Sequence, residues 1–289
     1  MIFNCIVKNE EKASGYCIKF LKQACKKRKI KFNMIRADLF DFSRKYNLTE
    51  NDLLFKKSAG SKSAMIEKML MNSKCTSFYI SNNNSIRSSK IKSYSILEKA
   101  GLPIIKTILD ITDDKTLLKK YVKSLGGFPI ILKVGGKQDG KGIIKMDSWE
   151  SLYSLLGYLI DSGLQNSISM KKFIPHKIQA RLVVVGDRVV DSKANIFNNN
   201  DFRLNNEQSF KQKPMTFSKE LQEIAIKATH LMNSEFSGVD ILLDENKKPY
   251  IAEINIPTDF SATRAVNKND VALYMVDHLI QKAEDTKRG

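Results

Sequence analysis

The hydrophobic pattern of the chain opens with strand and helix in alternation. Residues 3–7 form a short apolar run, residues 11–28 place Ile18, Leu21 and Cys25 at helical spacing, and residues 31–37 alternate in steps of two. That succession predicts a βαβ unit. Short apolar runs at 53–57 and 76–81 flank a helical stretch at 63–71, so the first 80 or so residues predict a small α/β domain with parallel strands. Asn82-Asn83-Asn84 breaks the pattern, and a basic helix over 85–100 ends at Gly101 with Pro103 just beyond. The grammar then changes to strands at 104–109, 129–134, 143–146 and 168–174, with helices at 113–125 and 148–162. A hairpin over 181–190 turns at Gly186-Asp187, and residues 198–216 are polar and without pattern, as functional loops often are. A helix over 219–233, strands at 238–243 and 249–255 and a closing helix over 270–284 complete the prediction.

Composition narrows the class. The chain is 42% hydrophobic, and no stretch approaches the roughly 18 consecutive apolar residues of a membrane helix. The N-terminal apolar run lacks a preceding basic region and is followed at once by charges, a poor signal peptide, so a cytoplasmic protein without a membrane partner is expected. Cys5, Cys17, Cys25 and Cys75 show no C-x-x-C spacing and are read as reduced thiols, and His176, His230 and His278 are dispersed, without metal spacing. The net charge is +17, with 21 Lys/Arg against 8 Asp/Glu in residues 1–100 and 27 against 23 in the remainder. Such a field attracts an acidic peptide, nucleotide phosphates or nucleic acid; it is equally what a chain with lysine as its favoured surface residue carries. Nucleic acid is disfavoured as a partner, because no aromatic interleaving or recognised motif accompanies the charge.

The most specific chemistry lies in Gly238-Val-Asp-Ile-Leu-Leu243 and Tyr250-Ile-Ala-Glu-Ile-Asn255, two apolar strands carrying oxygen ligands. Glu253 and Asn255, two apart on a strand, project from one face and can converge with Asp240. Two carboxylates and an amide oxygen suit Mg²⁺, which takes few protein ligands and completes its shell with water and phosphate. Lys133 ends an apolar strand and precedes a glycine-rich loop containing Gly140, Lys141 and Gly142, whose backbone N–H groups can approach phosphate oxygens. The spacing is not that of a Walker loop. Arg181 opens the hairpin and Arg203 lies in Asp201-Phe-Arg-Leu-Asn205; arginine suits phosphoryl oxygens or a carboxylate, or a structural ion pair. The residues alone lead to a magnesium-nucleotide enzyme of phosphoryl chemistry.

In this order the motifs resemble the RimK-like branch of the ATP-grasp superfamily, ATP-dependent carboxylate–amine ligases, across roughly residues 82–282. The resemblance implies an α+β class, the ATP-grasp fold of two α+β lobes clasping ATP, preceded by a small α/β domain. It implies an N-terminal domain over 1–84 and an ATP-grasp domain over 85–289, with a central lobe at about 104–170 and a C-terminal lobe at about 171–285. Carried over residue by residue, Lys90, Lys133, Gly140, Lys141 and Gly142 are implied to neutralise and cover phosphates. Lys172, Phe173 and Ile174 occupy the hinge that holds adenine. Asp240, Glu253 and Asn255 are implied to hold two Mg²⁺ ions, for which Mn²⁺ can substitute; Arg203 would stabilise the transferred phosphoryl group, with Arg181 and Asn205 at substrate or phosphate. The chain departs from the family pattern at Lys172, where an acid is common, and at Gln179, where an aspartate usually precedes the arginine. Asn206-Glu-Gln208 replaces the usual glycines, and the S-P-G after Asn255 is missing.

The activity so implied is formation of an amide or peptide bond through an acyl phosphate, modifying a peptide or protein with an amino acid or joining peptide groups, with an acidic peptide or protein as the expected acceptor. A small-molecule dipeptide or glutathione-like ligase and a nucleotide-binding regulatory protein without catalysis remain the alternatives. Related enzymes lead to the expectation of a homo-oligomer.

Overall fold

The first strand, β1 (Ile2–Val7), is buried on both faces, as the interior strand of a parallel sheet is. In the computed structural model, which describes residues 1–10, 15–58, 60–71, 75–80, 90–109, 111–135, 142–164, 168–197, 210–261, 267 and 269–288, it lies between β2 (Lys31–Arg36) and β3 (Leu53–Lys56). With β4 (Thr76–Ser77) outside β3, the order is β2-β1-β3-β4, all parallel. Helix α1 (Tyr16–Lys27) covers the face of Phe3, Cys5 and Val7 through Ile18 and Leu21, and α2 (Ser61–Met71) covers Ile6 and Leu54 through Ile66 and Leu70.

After α3 (Lys90–Lys99) comes an antiparallel sheet of β5 (Thr107–Ile108), β8 (Ile168–Lys172), β6 (Ile130–Val134) and β7 (Ile143–Met146), in that order. Helices α4 (Lys115–Ser124) and α5 (Trp149–Asp161) pack on one face. Asp114 caps α4 by accepting from Leu117 N at 2.6 Å, and Ser148 caps α5 from Ser151 N at 3.3 Å. Strand β6 alternates: Ile130, Leu132 and Val134 are buried beneath the helices, so Ile131 and Lys133 face the other way.

The third sheet is antiparallel, in the order β11 (Phe210–Pro214), β10 (Arg188–Phe197), β9 (Ile178–Val185), β12 (Phe236–Leu243), β13 (Pro249–Asn255). Ala180, Leu182, Val184, Val239 and Ile241 pack on one face against α3 and α6 (Lys219–Leu231). Its other face is divided. Val183, Val185 and Phe236 join the cluster of Phe3, Cys5, Leu53 and Phe55 around α7 (Val271–Arg288), while Lys193, Arg181 and Asp240 make a polar stretch of that face and Leu242 beyond them joins a small cluster with Ile105 and Ile174. Lys282 on α7 fastens the arrangement, donating to Ser77 O at 3.1 Å, Tyr79 O at 2.7 Å and Glu235 Oε2 at 2.5 Å.

The expected α+β class and order of elements hold, with local differences. The strand expected at 104–109 shrinks to β5, because Ile104 bridges to Ile251 in the third sheet instead. The run at 76–81 pairs only over Thr76–Ser77. Strand β11 lies inside the segment read as patternless: Phe-Lys-Gln-Lys-Pro pairs with β10 on one side only, and such an edge strand needs little apolar alternation. Among the described residues no helix is long and apolar enough to cross a membrane.

Two predictions follow from this packing. Phe236 is 1% exposed and meets Phe55, Phe78 and Phe260 at ring-centroid distances of 5.6, 5.2 and 6.3 Å, so Phe236→Ala should cost about 3–5 kcal/mol. Urea unfolding measures it. Burial pushes the Cys5 thiol far up, the Cys17 thiol up to about 11, with Asp259 adding to it, and the Cys25 thiol up to about 12. Since the thiolate is the reactive form, all three should resist iodoacetamide at pH 8 in the folded protein and label at once in urea, read by mass spectrometry.

Candidate active site

The cleft lies between the uncovered faces of the second and third sheets. From the second sheet come Ile131 and Lys133 on β6, with Lys171 opposite Ile131 and Ser169 opposite Lys133 on β8. From the third comes Glu253 on β13, and Lys133 Nζ reaches its Oε1 at 3.6 Å across the gap. Lys133, Lys171, Ala252 and Glu253 form a partition shared by two cavities. One, of about 270 Å³, is walled by Tyr94, Leu97, Met232 and Ile256; the other, of about 70 Å³, by Ile131, Lys172, Phe173, Ile174, His176 and Leu242. Lys171 is held in the partition by donating to Tyr94 Oη at 2.6 Å and Ala252 O at 3.4 Å.

Beyond the partition, strand register sets four charged residues in one line across four strands. Lys193 on β10 pairs with Arg181 on β9, Arg181 with Asp240 on β12, and Asp240 with Glu253 on β13. Directly paired residues share a face, so two cations and two carboxylates stand in file. Arg181 Nη1 donates to Asp240 Oδ2 at 2.5 Å, Nη2 to Thr258 Oγ1 at 2.6 Å, and Asn255 Nδ2 to the same Asp240 oxygen at 3.1 Å. The guanidinium passes directly over Gly238, where an added Cβ would lie 2.8 Å from Arg181 Nη2 and 2.3 Å from Thr258 Oγ1. The glycine of the G-V-D motif is therefore a matter of clearance. Burial pushes the Asp240 carboxyl above its usual range; Arg181 opposes that rise and Glu253 adds to it.

The next row along the face is neutral: Asn195 Nδ2 donates to Gln179 Oε1 at 3.0 Å, and both are buried. Gln179, where the family pattern has an acid, leaves Asp240 as the carboxylate that pairs Arg181. On the other side of the charged row, Asp191 accepts from Asn269 Nδ2 at 3.0 Å and from Asn267 Nδ2.

Of the sequence-predicted residues, the structure brings Asp240, Glu253, Asn255, Lys133 and Arg181 to one cleft, with Lys172, Phe173 and Ile174 lining the smaller cavity beside them. Ile174 is buried, Lys172 exposed, and Lys145 Nζ lies 5.3 Å from the Phe173 ring centroid. Gly142 O accepts from Val134 N at 2.7 Å, anchoring the end of the glycine-rich loop. Lys90 begins α3, and its side chain lies outside the described residues, as do Gly140, Lys141, Arg203 and Asn205. Sequence reasoning missed Lys193 and Thr258. Asp191, Lys193 and Asn195 at steps of two were a legible polar face of a strand; Thr258, outside any strand, left no such signal.

The donor set fits magnesium. Among the described residues no three His, Cys, Asp or Glu cluster, so a carboxylate-rich cage is absent, while two facing carboxylates and an amide are what a sparsely liganded hard ion uses. Glu253 adds to the upward push on the Asp240 carboxyl, a tension between like charges that a divalent cation relieves.

A methyl group at Gly238 must displace two hydrogen-bonded groups, so Gly238→Ala should destabilise the fold by about 1–3 kcal/mol, measured by urea unfolding.

Comparison with known proteins agrees with this geometry. A family model described as a RimK-like ATP-grasp domain matches residues 87–279. The alpha-aminoadipate–LysW ligase LysX of Saccharolobus solfataricus is 26% identical over 248 residues, 83% of this chain and 88% of that one. A probable alpha-L-glutamate ligase of Legionella pneumophila is 25% identical over 197 residues, 68% of this chain and 64% of its own length. Among solved structures, the ATP-grasp ligase PsnB complexed with minimal precursor, Mg and ADP superposes with a TM-score of 0.71 at 13% identity, covering 98% of this chain and 97% of that one. The structural likeness establishes the ATP-grasp fold. The family match spans well over half of the sequence and takes in every strand that builds the cleft, so this chain belongs to the RimK-like ATP-grasp ligases, enzymes that form carbon–nitrogen bonds.

Proposed function

We propose that the chain joins the carboxylate of one substrate to the amine of another through an acyl phosphate, with a peptide or protein as one partner and an amino acid as the other. The observation that carries the reading is the charged file Lys193–Arg181–Asp240–Glu253 ending at Lys133, because phosphoryl transfer needs positioned charge more than a protein nucleophile. The substrate carboxylate attacks the γ-phosphorus of ATP and the bond to the ADP oxygen breaks. The amine then attacks the acyl carbon, the carbon–nitrogen bond forms, phosphate leaves and a proton is lost.

In this reading Lys172, Phe173 and Ile174 hold the base, and Lys133, Lys90, Gly140, Lys141 and Gly142 bind and cover the phosphates. Lys133 exchanges Glu253 for a phosphate oxygen. Asp240, Glu253 and Asn255 would hold two Mg²⁺ ions, replaceable by Mn²⁺, which neutralise phosphate charge when bound. Arg203 stabilises the transferred group, and Arg181 with Asn205 meets substrate or phosphate, with Asp240 and Thr258 fixing the guanidinium. Residues 1–84 act as a recruiting domain and 85–289 as the ATP-grasp domain, with lobes at about 104–170 and 171–285. The excess of 21 basic over 8 acidic residues in the first 100 supports an acidic acceptor. A peptide partner is supported by the solved complex of PsnB with precursor peptide PsnA2. A cytoplasmic homo-oligomer is the expected form.

The test is ADP release with ATP and Mg²⁺ across pools of amino acids and acidic peptides, with product masses followed. Peptide-dependent ADP formation, reduced about 100-fold or more in Glu253→Gln, is expected. Turnover with amino acids alone would make this a small-molecule ligase, and ATP binding without turnover in any pool would leave a regulatory nucleotide-binding protein.

A further inference from the structure

His176 lines the smaller cavity together with Lys172, Phe173, Ile174 and Leu242. Its Nδ1 lies 2.7 Å from Ile174 O, and a carbonyl only accepts, so Nδ1 carries the proton and donates. In the neutral ring this leaves Nε2 as a bare lone pair. That atom is buried and has no hydrogen-bond partner among the described residues. The ring cannot readily turn to find one: it stands edge-to-face on Phe197, centroids 5.1 Å apart at 81°, and Phe197 is backed by Phe210 at 5.3 Å. His278 Nε2 is also without a geometrically sound hydrogen bond, but it lies 3.2 Å from the Glu235 carboxylate, which accounts for it. Among the described residues no carboxylate is paired with His176 Nε2. Burial lowers the proton affinity of the His176 ring, consistent with the bare nitrogen. A buried acceptor left unmatched is costly, and its presence at a cavity wall calls for a donor supplied from the cavity.

We propose that His176 is a nucleotide-specificity residue, accepting at Nε2 a hydrogen bond from an N–H or O–H donor of the bound nucleoside. This rests on the reading of the smaller cavity as the nucleoside site. Two donors have the required chemistry, the 6-amino group of adenine and a ribose hydroxyl. A phosphate has none at neutral pH, so the interaction reads the nucleoside and leaves the triphosphate to the lysines.

Analogues and two substitutions test it. Dissociation constants with Mg²⁺ are measured for ATP, purine riboside triphosphate, 2′-deoxy-ATP and 3′-deoxy-ATP on the wild type, His176→Asn and His176→Gln, with melting temperatures recorded. An asparagine amide can still donate to Ile174 O from the place of Nδ1 but has nothing at the place of Nε2; a glutamine amide reaches the latter. One analogue should bind the wild type about 3- to 10-fold more weakly than ATP, and its identity names the donor. The Asn protein should lose the same factor for ATP and none further for that analogue, and the Gln protein should regain most of it. The inference is overturned if the wild type binds all four nucleotides alike, a result that needs no variant to fold. It is also overturned if Asn and Gln weaken every nucleotide by one common factor, as a packing role would. Should the wild type bind no ATP at all, the nucleotide reading of the cleft fails first and this inference with it; tight ATP binding indifferent to residue 176 removes only the inference.

Discussion

Half-buried Arg181 stands beside buried Asp240, and much of the third sheet is arranged around that pairing. A carboxylate at 5% exposure is tenable only with a cation and further donors, and Asp240 has both in Arg181 and Asn255. The guanidinium is held in turn by Thr258 and needs bare backbone beneath it, supplied by Gly238. Loss of one partner from such a pair generally costs about 3–5 kcal/mol, because the survivor is left charged in a poor solvent. The four strands β10, β9, β12 and β13 must keep register for the charged file to exist, since a slip of one residue would send every member to the apolar face under α6.

Much of this was legible in the sequence, for reasons that can be located. Strands β12 and β13 announce themselves because apolar runs interrupted by Asp240 and Glu253 are unusual, and period two places Glu253 and Asn255 together. Lys133 is equally plain, near the end of β6 on the face opposite Ile130 and Leu132. What the chain did not reveal are relations across strands. That Lys193 opposes Arg181 depends on the register of a hairpin with a bulge between Val189 and Asp191, and that Thr258 meets Arg181 depends on a path beyond β13 with no periodicity. Strand β11 escaped notice because an edge strand buries too little to need a pattern.

The N-terminal sheet resembled an independent α/β unit in its local grammar, and among the described residues its strands pair only with one another. Its hydrophobic cluster is nonetheless continuous with Val183, Val185, Phe236 and Phe260. Lys57 and Asp259, 3.0 Å apart, add a polar tie beside the cleft, and Cys17 donates to the same carboxylate at 3.2 Å. The first third of the chain is thus seated against the lobe that carries the charged file.

Helix α7 has a consequence of a different kind. It supplies Val271, Met275, Val276 and Leu279 to the cluster that covers β1, yet it is synthesised some 260 residues after that strand. While the ribosome is still translating, the face of β1 bearing Phe3, Cys5 and Val7 has α1 as its cover and waits for the rest. Vectorial folding from the N-terminus, the usual order for separate domains, is closed to this one. The nascent chain therefore keeps part of that apolar surface open until α7 has been made.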